Sequence, residues 1–181
     1  VHYNENGKWK DIDNSFNNVT DSNGENVIEN RENSFKINFS KKAKKNKLVT
    51  IKKDQYHIGW SLTDAEKATA KILNNDNDST SLTSLKNITG SVTYENILNN
   101  TDLRYTVTAN SVKEDIILKN KNAADKYTFE YEVKNLSYKS NADGTICFYK
   151  NDNQNDVVYV LDKLYMYDAN GEISGNIQID L

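Results

Sequence analysis

Four copies of one short pattern constrain this chain more than any other feature. Asn4-Glu5-Asn6-Gly7, Asp21-Ser22-Asn23-Gly24, Asn141-Ala142-Asp143-Gly144 and Asp168-Ala169-Asn170-Gly171 each read Asn/Asp, any residue, Asn/Asp, Gly. The leading Asx side chain accepts a hydrogen bond from backbone two residues on and starts a type I turn. The closing Gly takes the left-handed conformation that a Cβ resists, which returns the chain antiparallel through a bulge. Four of the seven glycines are spent this way, and there is no Pro at all. The pattern predicts four hairpins in a chain of antiparallel strands.

The intervening segments carry the matching periodicity. Ser34–Ser40 alternates so that Phe35, Ile37 and Phe39 share one face, and Tyr56–Leu62 places Tyr56, Ile58, Trp60 and Leu62 on another. Leu48–Ile51 and Leu103–Val107 repeat the alternation. Tyr127–Val133 sets Tyr127, Phe129, Tyr131 and Val133 against Thr128, Glu130 and Glu132. Thr145–Tyr149, Val157–Leu161 and Asn176–Leu181 bring the expected set to about ten to twelve strands. One wet and one dry face per strand predicts an all-β, antiparallel two-sheet β-sandwich. At 64–73, Thr63-Asp64-Ala65-Glu66 matches a helix capping box, yet Ala68, Ala70 and Ile72 alternate with Lys67, Thr69 and Lys71. Strand neighbours on both sides favour the strand.

Length and composition fit one thin-cored domain. The 181 residues are 36% hydrophobic, with mean hydropathy −0.81, and eleven Tyr and two Trp must supply much of the buried area. The expected unit is a single β-rich domain over 1–181, with the polar stretch 74–80 as a linker. The 28 Asn residues are read first as genomic base composition, which also empties N-x-S/T matches such as Asn18-Val19-Thr20 and Asn87-Ile88-Thr89 of meaning. No apolar run approaches a membrane span and no basic-then-apolar leader opens the chain. A formal charge of −3 argues against nucleic acid as main ligand, because neutralising phosphates needs a basic surface.

Catalytic chemistry finds few candidates. A nucleophile needs a base in reach, and the histidines are His2, near the start, and His57, on the solvent side of its strand. Cys147 sits within an apolar strand and is expected to pack inertly, and one Cys excludes a disulfide framework. Among 26 acidic residues, carboxylate pairs such as Glu114-Asp115 and Glu130/Glu132 arise by chance, so no catalytic residue is assigned. The chain is expected not to be an enzyme and to need no cofactor. Asp11, Asp13, Asp76 and Asp78 are weak calcium candidates, since that ion takes oxygen ligands from Asp and Asn. Asp168–Gly171 lacks the closing Glu of a calcium loop. Lys41, Lys42, Lys44 and Lys45, within Lys41–Lys47, are the candidate contact for anionic polymer, against a plain reading as a solvated loop.

One likeness goes beyond periodicity. Val92–Ile97, Thr101–Val107, Val112–Lys119, Tyr127–Leu136, the Asp143-Gly144 turn and Tyr165–Glu172, together with Gly7–Asn14, form an ordered series. The series resembles the N-terminal region of clostridial wall-associated surface proteins. Those are long secreted proteins of the RHS/YD-repeat type that often carry DNRLRE domains. A looser likeness extends to β-rich modules of bacterial adhesins. Family members often have Pro before the Tyr-Met-Tyr-Asp stretch, where this chain has Leu164, and the family offers no catalytic residues to carry over. The resemblance implies an extracellular, secreted or wall-attached location within a larger parent. The expected function is a non-catalytic structural or adhesive module whose partners are neighbouring domains. A carbohydrate- or cell-wall-binding module is the alternative, and a glycan-active enzyme fragment comes third. Neither nucleic acid nor membrane insertion is expected.

Overall fold

The computed structural model describes residues 1–43, 47–65, 67–73 and 87–180. The expected linker at 74–80 lies outside them. The chain divides into two compact units, Val1–Glu132 and Val133–Leu181.

The first unit opens with a hairpin of β1 (His2–Glu5) and β2 (Lys8–Asp11). A meander follows: β3 (Asp13–Thr20), β4 (Asn26–Glu32), β5 (Lys36–Ser40), β6 (Val49–Lys53) and β7 (Tyr56–Leu62). The second layer is built from β8 (Ala70–Leu73), β9 (Gly90–Leu98), β10 (Thr101–Val107) and β11 (Val112–Leu118), in the order β11-β10-β9-β8. A last strand, β12 (Phe129–Lys134), returns beside β7 and completes a six-stranded sheet ordered β12-β7-β6-β5-β4-β3. The contested segment is therefore strand over Ala70–Leu73, joined to β9 in antiparallel register, and Lys42 bridges Thr69 just before it.

Alternation predicted part of the core of these two sheets: Ile37 and Phe39 of β5, and Leu103, Tyr105 and Val107 of β10, are fully buried, while Phe35 is half-buried. Val92, Tyr94 and Ile97 of β9, which the alternation did not single out, are fully buried too. Tyr56, Ile58, Trp60 and Leu62 are buried as well. The sheets meet through rings: Phe39 lies 5.3 Å from Tyr105, and Tyr94 packs edge-on to Tyr105 at 6.4 Å. Such aromatic pairs add to the area they bury. The Tyr94 hydroxyl donates to the Ser40 carbonyl at 2.5 Å, a second tie between layers. Tyr127–Val133 behaves differently from its pattern. As an edge strand β12 has a neighbour on one side, and Tyr131 stays 45% exposed.

Asparagine has structural work here that composition alone did not reveal. Asn14, Asn30 and Asn33 are buried together. Asn14 Nδ2 donates to the Ile88 and Thr108 carbonyls at 2.6 and 2.9 Å, and Asn33 Nδ2 donates to Asn14 Oδ1 and the Thr108 carbonyl. Asn30 Nδ2 reaches Asn14 Oδ1, while its Oδ1 accepts from the Ile37 amide at 2.9 Å. Buried polar groups persist only when paired, and these amides satisfy one another and loop carbonyls at once. Five other asparagines (Asn6, Asn87, Asn96, Asn100 and Asn135) hold positive φ, the region Asn tolerates best after Gly. Close to this network Gly90 has no room for a side chain: a Cβ there would fall 2.1 Å from the Asn14 carbonyl oxygen.

The second unit contains β13 (Leu136–Ser140), β14 (Ile146–Lys150) and β15 (Asn153–Leu161) as a three-stranded antiparallel sheet. The short pair β16 (Met166–Tyr167) and β17 (Ile173–Ser174) follows. Its buried apolar residues are Leu136, Ile146 and Phe148. The protein is thus all-β and sandwich-type, with seventeen strands among the described residues. The count exceeds the expected ten to twelve, and the expected strand Asn176–Leu181 is not one over its described residues 176–180.

All four expected hairpins are present. At Asp21 and Asp168 the leading carboxylate accepts two backbone amides across the turn. In Asn141–Gly144 the acceptor is instead the third residue, Asp143, which takes the Thr145 amide and hydroxyl. Gly24, Gly144 and Gly171 close the turns at positive φ. The Asn4–Gly7 turn is tighter. Glu5 pairs directly with Lys8, so the loop is Asn6-Gly7 alone, both residues at positive φ, the mirror-image geometry that matches strand twist.

Candidate functional site

The most chemically distinctive group lies where sequence patterning saw only chance. Glu114 stands directly opposite Tyr105 in the β10–β11 register, so it takes an inward position on an edge strand. Its carboxylate accepts from Trp60 Nε1 at 2.9 Å, and the same Nε1 lies 3.2 Å from the Tyr105 hydroxyl. Tyr131 of β12 stacks on Trp60 with ring centroids 5.9 Å apart. Four strands from both sheets therefore converge on one acid. Burial pushes the Glu114 carboxyl above its ordinary range; the hydrogen bonds from Tyr105 and Trp60 pull it down, and the Asp115 charge pushes it up again. Desolvation dominates because the bonded partners are uncharged. The Tyr105 hydroxyl is held well above its usual range, first by burial and then by Glu114.

The signal for Glu114 was present but weak. Val112, Glu114, Ile116 and Leu118 share one face, so the alternation of β11 already placed an acid in an apolar row. An inward charge on an edge strand discourages pairing with another sheet, which gives one physical reason for its position. Asp115 points the other way, 2.8 Å from Lys113 Nζ and 3.6 Å from Arg104. The Glu114-Asp115 pair is thus split between two faces. Glu130 and Glu132 both lie exposed on β12, with Glu132 3.6 Å from Lys47.

The other candidates are dispersed. Lys41 is half-buried and its carbonyl accepts from Ala70 N at 2.9 Å; Lys42 is exposed. Lys44 and Lys45 lie outside the described residues, as do Asp76 and Asp78. Asp11 pairs with His2 Nδ1 at 2.6 Å across the first hairpin, so His2 is held in β1. Asp13 Oδ1 accepts from the Ser15 amide and hydroxyl at 2.9 and 2.6 Å, the work of a local turn. Among the described residues no three His, Cys, Asp or Glu gather as metal ligands. His57 is half-buried on β7. Cys147 lies on β14, with Asn141 Nδ2 3.2 Å from its sulfur.

No protein-family model matches the chain, and no solved structure matches it. The chain is similar to the tRNA nuclease WapA of Bacillus subtilis, 24% identical over 171 residues, which is 94% of this chain and 7% of that protein. It is similar in the same degree to the tRNA3(Ser)-specific nuclease WapA of Bacillus spizizenii, 24% identical over 174 residues, or 96% of this chain and 7% of that one. The chain thus spans about 7% of the length of these curated relatives.

Those names correct three expectations. A non-catalytic structural or adhesive module, with carbohydrate binding as its alternative, gives way to relatives named as nucleases. The expectations of no enzyme and no nucleic-acid partner give way with it, since the relatives are named for tRNA. The physical reason is one of scope. Net charge and the scarcity of histidine describe 181 residues, about 7% of the length of these relatives, and do not constrain what the relatives bind or cleave.

Proposed function

We propose that this chain is part of a nuclease polypeptide that acts on tRNA. The similarity to tRNA nuclease WapA, running across 171 of its residues, carries the reading. Because the chain spans about 7% of its relatives, the activity is assigned to the whole polypeptide. RNA is then its partner, and the surface offers suitable contacts. Trp9, Tyr138, Tyr165 and Tyr167 are all more than half exposed, and Tyr165 and Tyr167 lie 6.3 Å apart. Exposed rings stack on unpaired bases, the usual protein contact to single-stranded RNA. The resemblance to clostridial wall-associated proteins adds the proposal that the polypeptide is secreted or wall-attached.

The test is tRNA cleavage by the full polypeptide, run beside residues 1–181 alone and resolved on denaturing gels. Cleavage of tRNA by the full polypeptide is expected, and intact tRNA after exhaustive incubation would overturn the assignment. A gel shift with Tyr165→Ala and Tyr167→Ala checks the stacking contact separately, and weaker tRNA retention is expected of both.

A further inference from the structure

We propose that Glu114 is a proton-operated latch between the two sheets of the first unit: protonated, it seals the contact of β11 with β7, and ionised, it draws water into that contact. The inference rests on geometry that joins layers far apart in sequence. Trp60 belongs to the six-stranded sheet and Glu114 to the four-stranded one, 54 residues on, and their 2.9 Å bond crosses between them. An ionised carboxylate half-buried among rings is costly unless a cation or enough donors compensate it. Here two neutral donors face it and their pull does not outweigh the desolvation.

From β7 the facing group is the Trp60 indole, which donates one bond and carries no charge. From β10 it is the Tyr105 hydroxyl, itself buried; Arg104, the next residue back, turns to Asp115. From β12 it is Tyr131, stacked on Trp60, with the exposed Glu130 and Glu132 alternating away. On β11 itself Asp115 adds a like charge and is engaged by Lys113 and Arg104. The groups acting on Glu114 are therefore two neutral donors, one further ring and one negative charge.

The sign follows from the raised carboxyl. An acid whose folded-state pKa lies above its unfolded value stabilises the fold fully below the unfolded value. That contribution is lost as pH rises through the folded one. Closure therefore belongs to acid conditions and loosening to higher pH. This runs opposite to the turn carboxylates Asp21, Asp143 and Asp168, which are shifted down.

Trp60 is a built-in reporter, because Trp9 is the other tryptophan and is 74% exposed. In a Trp9→Phe background, Trp60 emission and its quenching by acrylamide are followed from pH 3.5 to 8. The expected result is a red shift and increased quenching as pH rises, with a midpoint above the ordinary Glu value of about 4.3. Adding Glu114→Gln keeps an acceptor for the indole and should abolish the transition. Adding Asp115→Asn, which removes a like charge and frees two cations, should lower the midpoint. A flat Trp60 signal, or the same transition in Glu114→Gln, overturns the latch. A midpoint in Asp115→Asn that rises would overturn it as well, independently of how the glutamine variant folds.

Discussion

The two units of this protein reach order by different means. In Val1–Glu132 two sheets enclose a ring-rich core in which Ile37, Phe39, Tyr94, Leu103, Tyr105 and Val107 are wholly buried. In Val133–Leu181 the buried apolar residues are Leu136, Ile146 and Phe148, and each keeps 5–6% exposure. Val157, Val160, Leu164, Tyr165, Met166, Tyr167 and Ile173 are 40–72% exposed there. A small unit has too much surface for its volume to bury its apolar side chains. The second unit accordingly leans on local turn chemistry, with two Asx-Gly hairpins in 49 residues, whereas the first leans on contacts between distant strands.

The contrast can be broken most forcefully at Gly90. Gly90→Ala drives a Cβ into the Asn14 carbonyl and the Phe16 ring, and should cost about 3 kcal/mol or prevent folding of the first unit. Trp60 fluorescence during urea unfolding measures this, since both tryptophans lie in that unit. Asn14→Ala comes next. It takes the side-chain donor from the Ile88 carbonyl and the shared acceptor from Asn30 and Asn33, leaves Thr108 with Asn33 alone, and should cost about 2 kcal/mol by the same measurement. If Asn14→Ala were neutral, the long-range network would not distinguish the first unit.

A smaller effect is expected where the second unit is held locally. Gly171 has a φ of 85°, so Gly171→Ala should cost about 1 kcal/mol from backbone strain alone. Amide hydrogen exchange at Asp168–Glu172 reads that change directly. The weakest effect is that of acid on the turns. Asp21 is held below its ordinary range chiefly by the Glu25 amide, Asp168 chiefly by the Glu172 amide. Their contribution is present above the unfolded carboxylate pKa and disappears as pH falls through the lowered folded values. Asp21→Asn and Asp168→Asn should therefore each flatten the acid limb of the stability–pH curve. A limb that is unchanged in both variants would remove the turn carboxylates from the account.

Legibility followed the range of the interactions. The Asx-Gly turns could be read because donor, acceptor and glycine lie within five residues, as in Asp21 Oδ1 accepting from the Asn23 and Glu25 amides. The burial of Tyr56, Ile58, Trp60 and Leu62 could be read because period two is local too. The Asn14 network could not, since its partners lie 74 and 94 residues away. Neither could the setting of Glu114, whose acidic side chain is one of 26 until the register puts it across from Tyr105.

The residues alone settled that the chain is β, where four of its hairpins turn, and which apolar side chains of Tyr56–Leu62 and Leu103–Val107 face inward, because those properties depend on backbone sterics and neighbours a few positions apart. Tertiary structure decided which strands lie side by side, that three asparagines would be sealed inside, and that one glutamate would sit against Trp60. Those outcomes depend on closing long loops and on excluding water from the space between sheets, which no local pattern encodes.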